Sequence, residues 1–371
     1  MQSLKNIMII KYILIVPLFI TSIIFGQEKR PQLPKKPYPY LSEEITFKNF
    51  EANISLSGTL TIPNSNENNN FPTVILISGS GPDERDAELF GHKPFLVLSD
   101  YLTRNGIAVL RFDERGTGES EGNFKTATSF DFKTDVESAI SYLKTRNDIN
   151  EIGLIGHSEG GLIAPMAASN KEIKFIILLA GPVLPAKEIS LLQHELMSRA
   201  NKFTEEDIVK SLNSRAEILD LIINYNNELE PLAQLKNKIK KLLNSDTTLE
   251  IPNGMDKQKF IRILTNQSVS PWMRYMLKHD PYETLKQVTC PVLVLNGSKD
   301  LQVPSTRNLD TAEKALREGS NINFTIQELP NLNHLFQECT TGSPNEYAEI
   351  EQTLSPVLLS IINSWIKGLK L

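Results

Sequence analysis

The sequence has few of the residues that build metal centres and covalent cross-links. It contains two cysteines, Cys290 and Cys339, and five histidines among 371 residues. Two cysteines alone cannot make a zinc site, and the histidines and carboxylates show no ligand spacing, so no metal or other cofactor is expected. A disulfide is not expected either, because the two cysteines belong to opposite ends of a predicted strand region, roughly 20 Å apart. A disulfide needs Cα atoms within about 7 Å.

The chain also lacks an excess of basic charge. Its formal net charge is −5, and 22% of its residues are charged against 40% hydrophobic. This balance is typical of an ordinary globular protein, and it gives no reason to expect nucleic acid or an anionic membrane as a partner. The sequence shows no internal repeat, and its one biased segment is the asparagine-rich turn at residues 64–70.

Residues 1–26 have the pattern of a secretory signal peptide rather than of a folded segment. Lys5 and Lys11 precede an apolar run, Tyr12 to Phe25, which ends at a small residue before a polar chain. We therefore expect an exported protein, periplasmic or secreted, without stable membrane insertion once the signal is removed. The alternative is an uncleaved N-terminal anchor, because residues 7–26 could span a bilayer if Lys11 reached the interface.

The rest of the chain alternates strands and helices, interrupted once. Residues 27–42 are rich in proline and predict an extended exposed linker. Two antiparallel edge strands are predicted next, at residues 44–48 and 54–62. Continuous apolar runs then predict buried strands, and amphipathic patterns between them predict helices. The predicted strands are 73–78, 107–112, 152–155, 175–179, 291–295 and 323–329, and the predicted helices are 95–104, 131–145, 305–317 and 350–368.

This pattern predicts an α/β core with a mostly parallel sheet, formed by residues 43–184 and 281–371. Between them, residues 185–280 contain helical patterns and no convincing buried strand, which predicts a helical lid insertion. The lid helices are predicted at 189–200, 205–226, 229–243 and 257–264. Apolar lid residues are candidates for an acyl pocket, although each could equally be a helix-packing residue. They are Leu191, Leu192, Leu196, Trp272, Met273, Tyr275 and Met276.

One motif carries the chemistry. The sequence Gly156-His157-Ser158-Glu159-Gly160-Gly161 follows a predicted strand and opens a predicted helix. Gly-x-Ser-x-Gly in that context is typical of a nucleophile elbow, in which the serine hydroxyl is exposed on a strained turn. The same pentapeptide also occurs in ordinary loops, so the prediction depends on finding an acid and a base in suitable places.

Two candidates follow later strands. Strand ends of a parallel sheet meet along one edge, and Asp300 and His334 each come shortly after a predicted strand. The chain order serine, acid, histidine is one of the known orders of a Ser-His-Asp triad, and it is the order found when the serine lies on a nucleophile elbow. His334 would take the serine proton, and Asp300 would orient the imidazole. His157 lies beside the serine and is not expected to act as the base.

An oxyanion would need backbone donors close to Ser158. One is expected to be the N–H of Glu159, the residue after the nucleophile. The other is expected from the glycine-rich loop at residues 78–82, with the N–H of Ser80 favoured over that of Gly79. The alternative is a tight turn needed only for packing.

With these motifs in place, the sequence resembles the α/β-hydrolase superfamily, specifically its serine-aminopeptidase-like (S33-type) branch of exported bacterial esterases. The resemblance covers roughly residues 45–182 and 281–370. It is carried by the elbow and by four further stretches, which are Gly79–Asp86, Arg111–Ser120, Leu295–Pro304 and Leu332–His334. In the second stretch we expect Asp113 and Arg115 to form a structural ion pair. Asp83, Arg85 and Asp86 could contact substrate or solvent, and Glu159 could repel anions or contact an arginine.

The expected function is hydrolysis of a small-molecule carboxylic ester, with a hydrophobic acyl group, through an acyl-enzyme. The closest alternative is an aminopeptidase with the same triad, which would need carboxylates placed to bind a substrate amine. A thioesterase and a non-catalytic binding module on the hydrolase fold are weaker alternatives. No substrate-binding residue can be assigned from the sequence.

Overall fold

A computed structural model describes residues 30–64, 70–169, 172–249, 251–252 and 254–369. The predicted signal peptide, residues 1–26, and most of the asparagine-rich turn lie outside the described residues. The described chain forms two compact units, one of residues 30–184 and 280–369 and the other of residues 185–279.

The first unit is built on an eight-stranded sheet with the order β1-β2-β4-β3-β5-β6-β7-β8. The strands are β1 Leu41–Asn49, β2 Ile54–Ile62, β3 Phe71–Ile77, β4 Ala108–Phe112, β5 Ile149–His157, β6 Ile173–Leu179, β7 Val292–Gly297 and β8 Phe324–Leu329. Pairs from β4 through β8 are parallel, whereas β1–β2 and β2–β4 are antiparallel. The predicted mostly parallel α/β fold is confirmed. One detail of the prediction was wrong: of the two strands predicted to lie at the edge, β1 does so, but β2 pairs with a strand on each side.

Helices connect and flank the parallel strands. They are α1 Pro94–Arg104, α2 Ser129–Leu143, α3 Gly160–Ala167, α9 Pro281–Lys286, α10 Ser305–Glu318 and α11 Pro356–Gly368. Helix α11 begins later than the predicted residue 350, because Ser355 caps it and Pro356 occupies its first position. Most side chains of the central strands are apolar and buried, because helices pack against the sheet. Val74, Leu154 and Leu293 are fully buried.

Residues 30–40 belong to the predicted linker at 27–42; about half of them are exposed, but side chains at both ends are held on the sheet unit. The Arg30 Nη2 atom donates to the carbonyls of Phe90 (2.7 Å) and Ala348 (3.0 Å). The Gln32 side chain bonds to the backbone of Leu354, and Tyr40 is buried. Backbone groups 60 to more than 300 positions away hold this proline-rich segment on the sheet unit, and local composition cannot reveal such partners.

The second unit is entirely helical in its described regular structure. Its helices are α4 Ala186–Ala200, α5 Glu205–Ile223, α6 Leu232–Ser245, α7 Lys257–Ser268 and α8 Pro271–Lys278. Helix α8 was not predicted as a separate helix. The apolar core of this second unit includes Leu219, Ile239 and Ile261, which are fully buried. Of the proposed acyl-pocket residues, Met273 belongs to that core and Leu191 and Trp272 pack against it. Throughout the described chain, every helix is too short or too polar to cross a membrane.

Candidate active site

Ser158 lies at the turn between β5 and α3. Its φ is +53°, a left-handed conformation that a non-glycine residue rarely adopts. Such a residue costs about 1–3 kcal/mol and persists where its surroundings hold it. Here the N–H of Ser158 donates to the carbonyl of Leu179 on the neighbouring strand (2.9 Å). The turn is therefore a strained strand-to-helix elbow that is tied to the sheet.

Close backbone approach explains the two outer glycines of the motif. A Cβ atom on Gly156 would lie 2.0 Å from the carbonyl oxygen of Gly160. One on Gly160 would lie 2.1 Å from the carbonyl oxygen of Ile77 on β3. Neither oxygen belongs to a side chain that could move aside, so α3 can begin this close to the sheet only with glycine at both positions.

The structure brings Ser158, His334 and Asp300 together although they are far apart in sequence. The Nε2 atom of His334 lies 3.0 Å from Ser158 Oγ, and its Nδ1 atom lies 2.8 Å from Asp300 Oδ2. Asp300 follows β7 and His334 follows β8, so neighbouring strands deliver both side chains to the sheet edge that carries the elbow. Asp300 is 3% exposed and His334 is 4% exposed.

The orientation of Asp300 is fixed by the backbone of its own loop. Its Oδ1 atom accepts hydrogen bonds from the N–H groups of Gln302 (2.8 Å) and Val303 (2.9 Å). The Oδ2 atom is then directed at His334. A buried carboxylate with this set of donors is held in one rotamer, and it places the imidazole proton on Nδ1, which leaves Nε2 as an acceptor toward Ser158.

His157 is placed to hold the loop of His334 and not to act as a second base. Its Nε2 atom lies 2.9 Å from the backbone carbonyl of His334, to which it can donate. Burial, together with the positive charge that His334 can carry, lowers the pKa of His157 to about 4. A neutral imidazole at this place holds the His334 loop without adding charge beside Ser158.

Glu114 anchors the glycine-rich loop that follows β3. Its carboxyl accepts from Ser78 Oγ (2.6 Å) and from the N–H of Asp83 (3.2 Å), and its own N–H donates to the carbonyl of Asp83. The loop is thus clamped on both sides of Ser80. Within it, a Cβ on Gly79 would lie 3.3 Å from Ser158 Cβ, so the loop backbone passes directly against the elbow.

Sequence reasoning assigned no role to Glu114. Its position in the sequence could have indicated a role, because Glu114 comes shortly after the end of β4, just as Asp300 comes shortly after the end of β7.

We expect Glu114→Ala to lower kcat by about 100-fold with little change in KM, because small displacements of catalytic donors are expensive. Glu114→Gln should recover most of this loss. Its amide oxygen can accept from Asp83, and the Ser78 hydroxyl can accept from its NH2 group. Steady-state kinetics on an ester substrate would measure both values. The exposed Glu119→Ala serves as the control, and an unchanged kcat in folded Glu114→Ala would contradict this role.

Carboxyl groups surround the elbow. Glu159 is 3% exposed and accepts from Ser129 Oγ at 2.7 Å. Burial and the charges of Glu84 and Glu159 raise the pKa of Asp83 to about 7. Burial and the charge of Asp83 raise the pKa of Glu114 well above its ordinary value. Since carboxyl groups this close cannot all ionise at low cost, part of the cluster stays protonated near neutral pH.

The predicted ion pair between Asp113 and Arg115 was wrong. Asp113 instead pairs with Arg85, whose Nη2 lies 2.7 Å from Asp113 Oδ2. Arg115 pairs with Asp135 on α2, with Nε 2.7 Å from Oδ2. Both residues are structural, as expected, but each has a partner that the local sequence does not reveal. Arg85 and Asp86 are likewise engaged in ion pairs, Asp86 with Arg111.

A cavity and two cysteines of the described chain lie outside the candidate active site. A cavity of about 560 Å³ lies beside the loop after β8, lined in part by Asn331, Cys339 and Glu346, and none of Ser158, Asp300 or His334 lines it. Cys290 and Cys339 are free thiols. Within the described ranges, no cluster of three histidine, cysteine or acidic side chains could hold a metal ion.

The fold defines the class of protein. This is an α/β-hydrolase, with a mostly parallel eight-stranded sheet flanked by helices. A solved esterase from Pyrococcus furiosus has the same fold, with a TM-score of 0.52 at 15% identity, covering 93% of this chain and 98% of that one. Residues 94–338 match the family described as serine aminopeptidase, S33, and the chain belongs to that family.

Two curated relatives are similar in sequence. Esterase EstD of Thermotoga maritima is 26% identical over 280 residues, which are 76% of this chain and 58% of EstD. An acyl transferase of Photobacterium leiognathi is 29% identical over 187 residues, 49% of this chain and 56% of the relative. The matched regions thus span little more than half the length of these relatives.

Proposed function

We propose that this protein is a serine hydrolase that cleaves carboxylic esters through an acyl-enzyme formed on Ser158. The observation that carries the proposal is the continuous line of hydrogen-bonding distances from Asp300 through His334 to Ser158 Oγ. A serine hydroxyl is a weak nucleophile until a base accepts its proton. An imidazole oriented by a buried carboxylate supplies that base near neutral pH.

In the proposed first half-reaction, Ser158 Oγ attacks the ester carbonyl carbon while His334 Nε2 takes the hydroxyl proton. The tetrahedral intermediate collapses, the bond to the alcohol oxygen breaks, and His334 returns the proton to the departing alcohol. A water molecule then repeats the sequence on the acyl-enzyme, with His334 as base, and releases the carboxylic acid and free Ser158. Asp300 orients the imidazole and stabilises its protonated form throughout.

The proposed oxyanion donors are the N–H groups of Glu159 and Ser80. Glu159 precedes the first residue of α3, where backbone N–H groups are not used by the helix itself. Ser80 belongs to the loop that Glu114 clamps and that passes against Ser158 at Gly79. Each such donor contributes roughly 3 kcal/mol to transition-state stabilisation.

The relatives favour ester and acyl chemistry. EstD is named an esterase and the Photobacterium relative an acyl transferase, and both names describe handling of an acyl group. We propose a small-molecule ester with a hydrophobic acyl group as the substrate.

An aminopeptidase is the second candidate, and the family description favours it. The carboxyl cluster of Asp83, Glu114 and Glu159 near the elbow offers negative charge for a substrate amine. Against this, burial and mutual repulsion raise the pKa values of Asp83 and Glu114, which weakens their attraction for a cation at neutral pH.

The test compares turnover of p-nitrophenyl butyrate with that of aminoacyl p-nitroanilides, with a fluorophosphonate probe as a titrant of Ser158. We expect faster ester cleavage and stoichiometric labelling of the wild-type protein. Faster anilide cleavage would favour the aminopeptidase. A folded protein that the probe does not label would favour a non-catalytic binding module.

A further inference from the structure

The turn that carries His334 is closed by the residue before it, Asn333. The next three backbone N–H groups after His334 all donate to Asn333. Those of Leu335 and Gln337 donate to its side-chain Oδ1 atom at 3.0 and 2.9 Å, and that of Phe336 donates to its backbone carbonyl at 3.0 Å. The N–H of Asn333 donates in turn to the carbonyl of Gln337 at 3.1 Å. His334 is therefore the second residue of a β-turn that is held from both ends.

The side chain of Asn333 suits this place. At the first position of a turn, an asparagine oxygen reaches the N–H group two residues further on, and here it also reaches the group four residues on. Asn333 and Gln337 are both fully buried. Removal of the Asn333 amide would leave the N–H of Gln337 buried without this acceptor, which is costly enough to shift the turn.

Gln337 fixes the direction of the Asn333 amide. The Nδ2 atom of Asn333 donates to Gln337 Oε1 at 3.0 Å, and Gln337 Nε2 donates to the carbonyl of Gln352 at 2.9 Å. Rotation of the Asn333 amide by 180° would point its NH2 group at two N–H donors. Rotation of the Gln337 amide would point its oxygen at the Gln352 carbonyl. Each amide thus has one satisfied orientation, and the two hold each other in it.

A buried histidine from another part of the chain supports Gln337. His92 is 2% exposed, and its Nε2 atom lies 3.1 Å from Gln337 Nε2 and 3.0 Å from the carbonyl of Tyr347. Its Nδ1 atom lies 3.0 Å from Thr353 Oγ1. The turn is thereby tied to two further segments of the sheet unit, the one before α1 and the one before α11.

The distance that depends on this turn is the 3.0 Å between His334 Nε2 and Ser158 Oγ. The Asp300 contact sets the rotation of the imidazole, whereas the place of the ring depends on the backbone of His334. We propose that Asn333 is a positioning residue, which holds that backbone where Nε2 reaches Ser158, and that Gln337 acts by holding Asn333. This inference rests on the proposed function, in which His334 is the base.

The first measurement is steady-state kinetics with p-nitrophenyl butyrate. We expect Asn333→Ala to lower kcat by about 100-fold and to leave KM within about threefold, because a displacement near 1 Å in a catalytic group has such an effect. Asn333→Ser should recover about tenfold, since a serine hydroxyl can accept from the N–H two residues further on. Asn147→Ala, at an exposed bend, is the matched control and should be fully active.

The second measurement separates positioning of His334 from a general structural role. It is the rate of fluorophosphonate labelling of Ser158, with and without His334→Ala. Asn333→Ala should slow labelling about 100-fold when His334 is present and should add no further loss to His334→Ala, because residues that act as one unit have non-additive effects. Equal slowing in both backgrounds would show that Asn333 only maintains the fold.

The results also separate this proposal from the proposed function. If His334→Ala turned over the ester as fast as the wild type, the proposed function would fail, and the role of Asn333 with it. If His334→Ala were inactive but folded Asn333→Ala were fully active, the role of Asn333 alone would be rejected. Should Asn333→Ala not fold, the near-isosteric Gln337→Met decides. It should lower kcat by about tenfold through the freed amide of Asn333, and an unchanged kcat rejects the proposal.

Discussion

If Ser158 is the nucleophile, its replacement by alanine is expected to lower kcat for p-nitrophenyl butyrate by about 10⁴- to 10⁶-fold, the loss that serine hydrolases show without their nucleophile. The substitution removes one oxygen from a side chain whose backbone is already held at a φ of +53°. The N–H of residue 158 would keep its bond to the Leu179 carbonyl. We therefore expect an intact fold, with a thermal unfolding midpoint close to that of the wild-type protein.

The control is Ser141→Ala on α2, whose hydroxyl bonds only to the Glu137 carbonyl of its own helix. It should retain full activity. Titration with a fluorophosphonate should label the wild type and Ser141→Ala in equal amounts and leave Ser158→Ala unlabelled. Activity of Ser158→Ala within tenfold of the wild type would refute the acyl-enzyme at Ser158.

Asp300→Asn is expected to lower kcat by about 10⁴-fold, with the geometry of the site preserved. The two N–H groups of Gln302 and Val303 would hold the amide oxygen at the present Oδ1 position. The amide NH2 would then face His334 Nδ1, 2.8 Å away in the present structure. Because two donors cannot bond to each other, the imidazole would move its proton to Nε2, which could no longer accept the proton of Ser158.

Rotation of the amide does not rescue this variant, because its NH2 group would then face the two backbone donors instead. Asp310→Asn, an exposed substitution on α10 with the same change of charge, is the control and should be fully active. Nitrogen-15 chemical shifts of His334 would report the tautomer directly. An active Asp300→Asn protein, or one with the proton still on Nδ1, would contradict the assigned role.

The carboxyl groups around the elbow determine how much negative charge lies next to Ser158. Asp83, Glu114 and Glu159 lie close enough to influence one another's ionisation. The Glu159 carboxylate accepts a hydrogen bond from Ser129 Oγ. A cluster that is partly protonated near neutral pH stabilises the loop through hydrogen bonds, and it carries less negative charge next to Ser158 than three ionised carboxylates would.

Much of the core fold was predictable because the sheet is buried on both faces. Runs such as residues 73–78 and 175–179 are continuously apolar and β-branched, and helix periodicity separates them, so strand identity and parallel direction follow from local pattern. The elbow was predictable for a related reason. Glycine at positions 156 and 160 marks backbone crowding that no other residue tolerates, and Asp300 and His334 each follow a strand of the same sheet.

Local sequence determined the elements, their parallel direction and the chain order of the three candidate catalytic side chains, because periodicity and strand ends are properties of neighbouring residues. Tertiary structure alone decided the partners across the chain. It paired Asp113 with Arg85 and Arg115 with Asp135. It bonded the side chains of residues 30 and 32 to the backbone near residue 350, and it clamped the glycine-rich loop after β3 with Glu114. Such pairings depend on which strands and helices become neighbours, and that order is set by the packing of the whole chain rather than by any one segment.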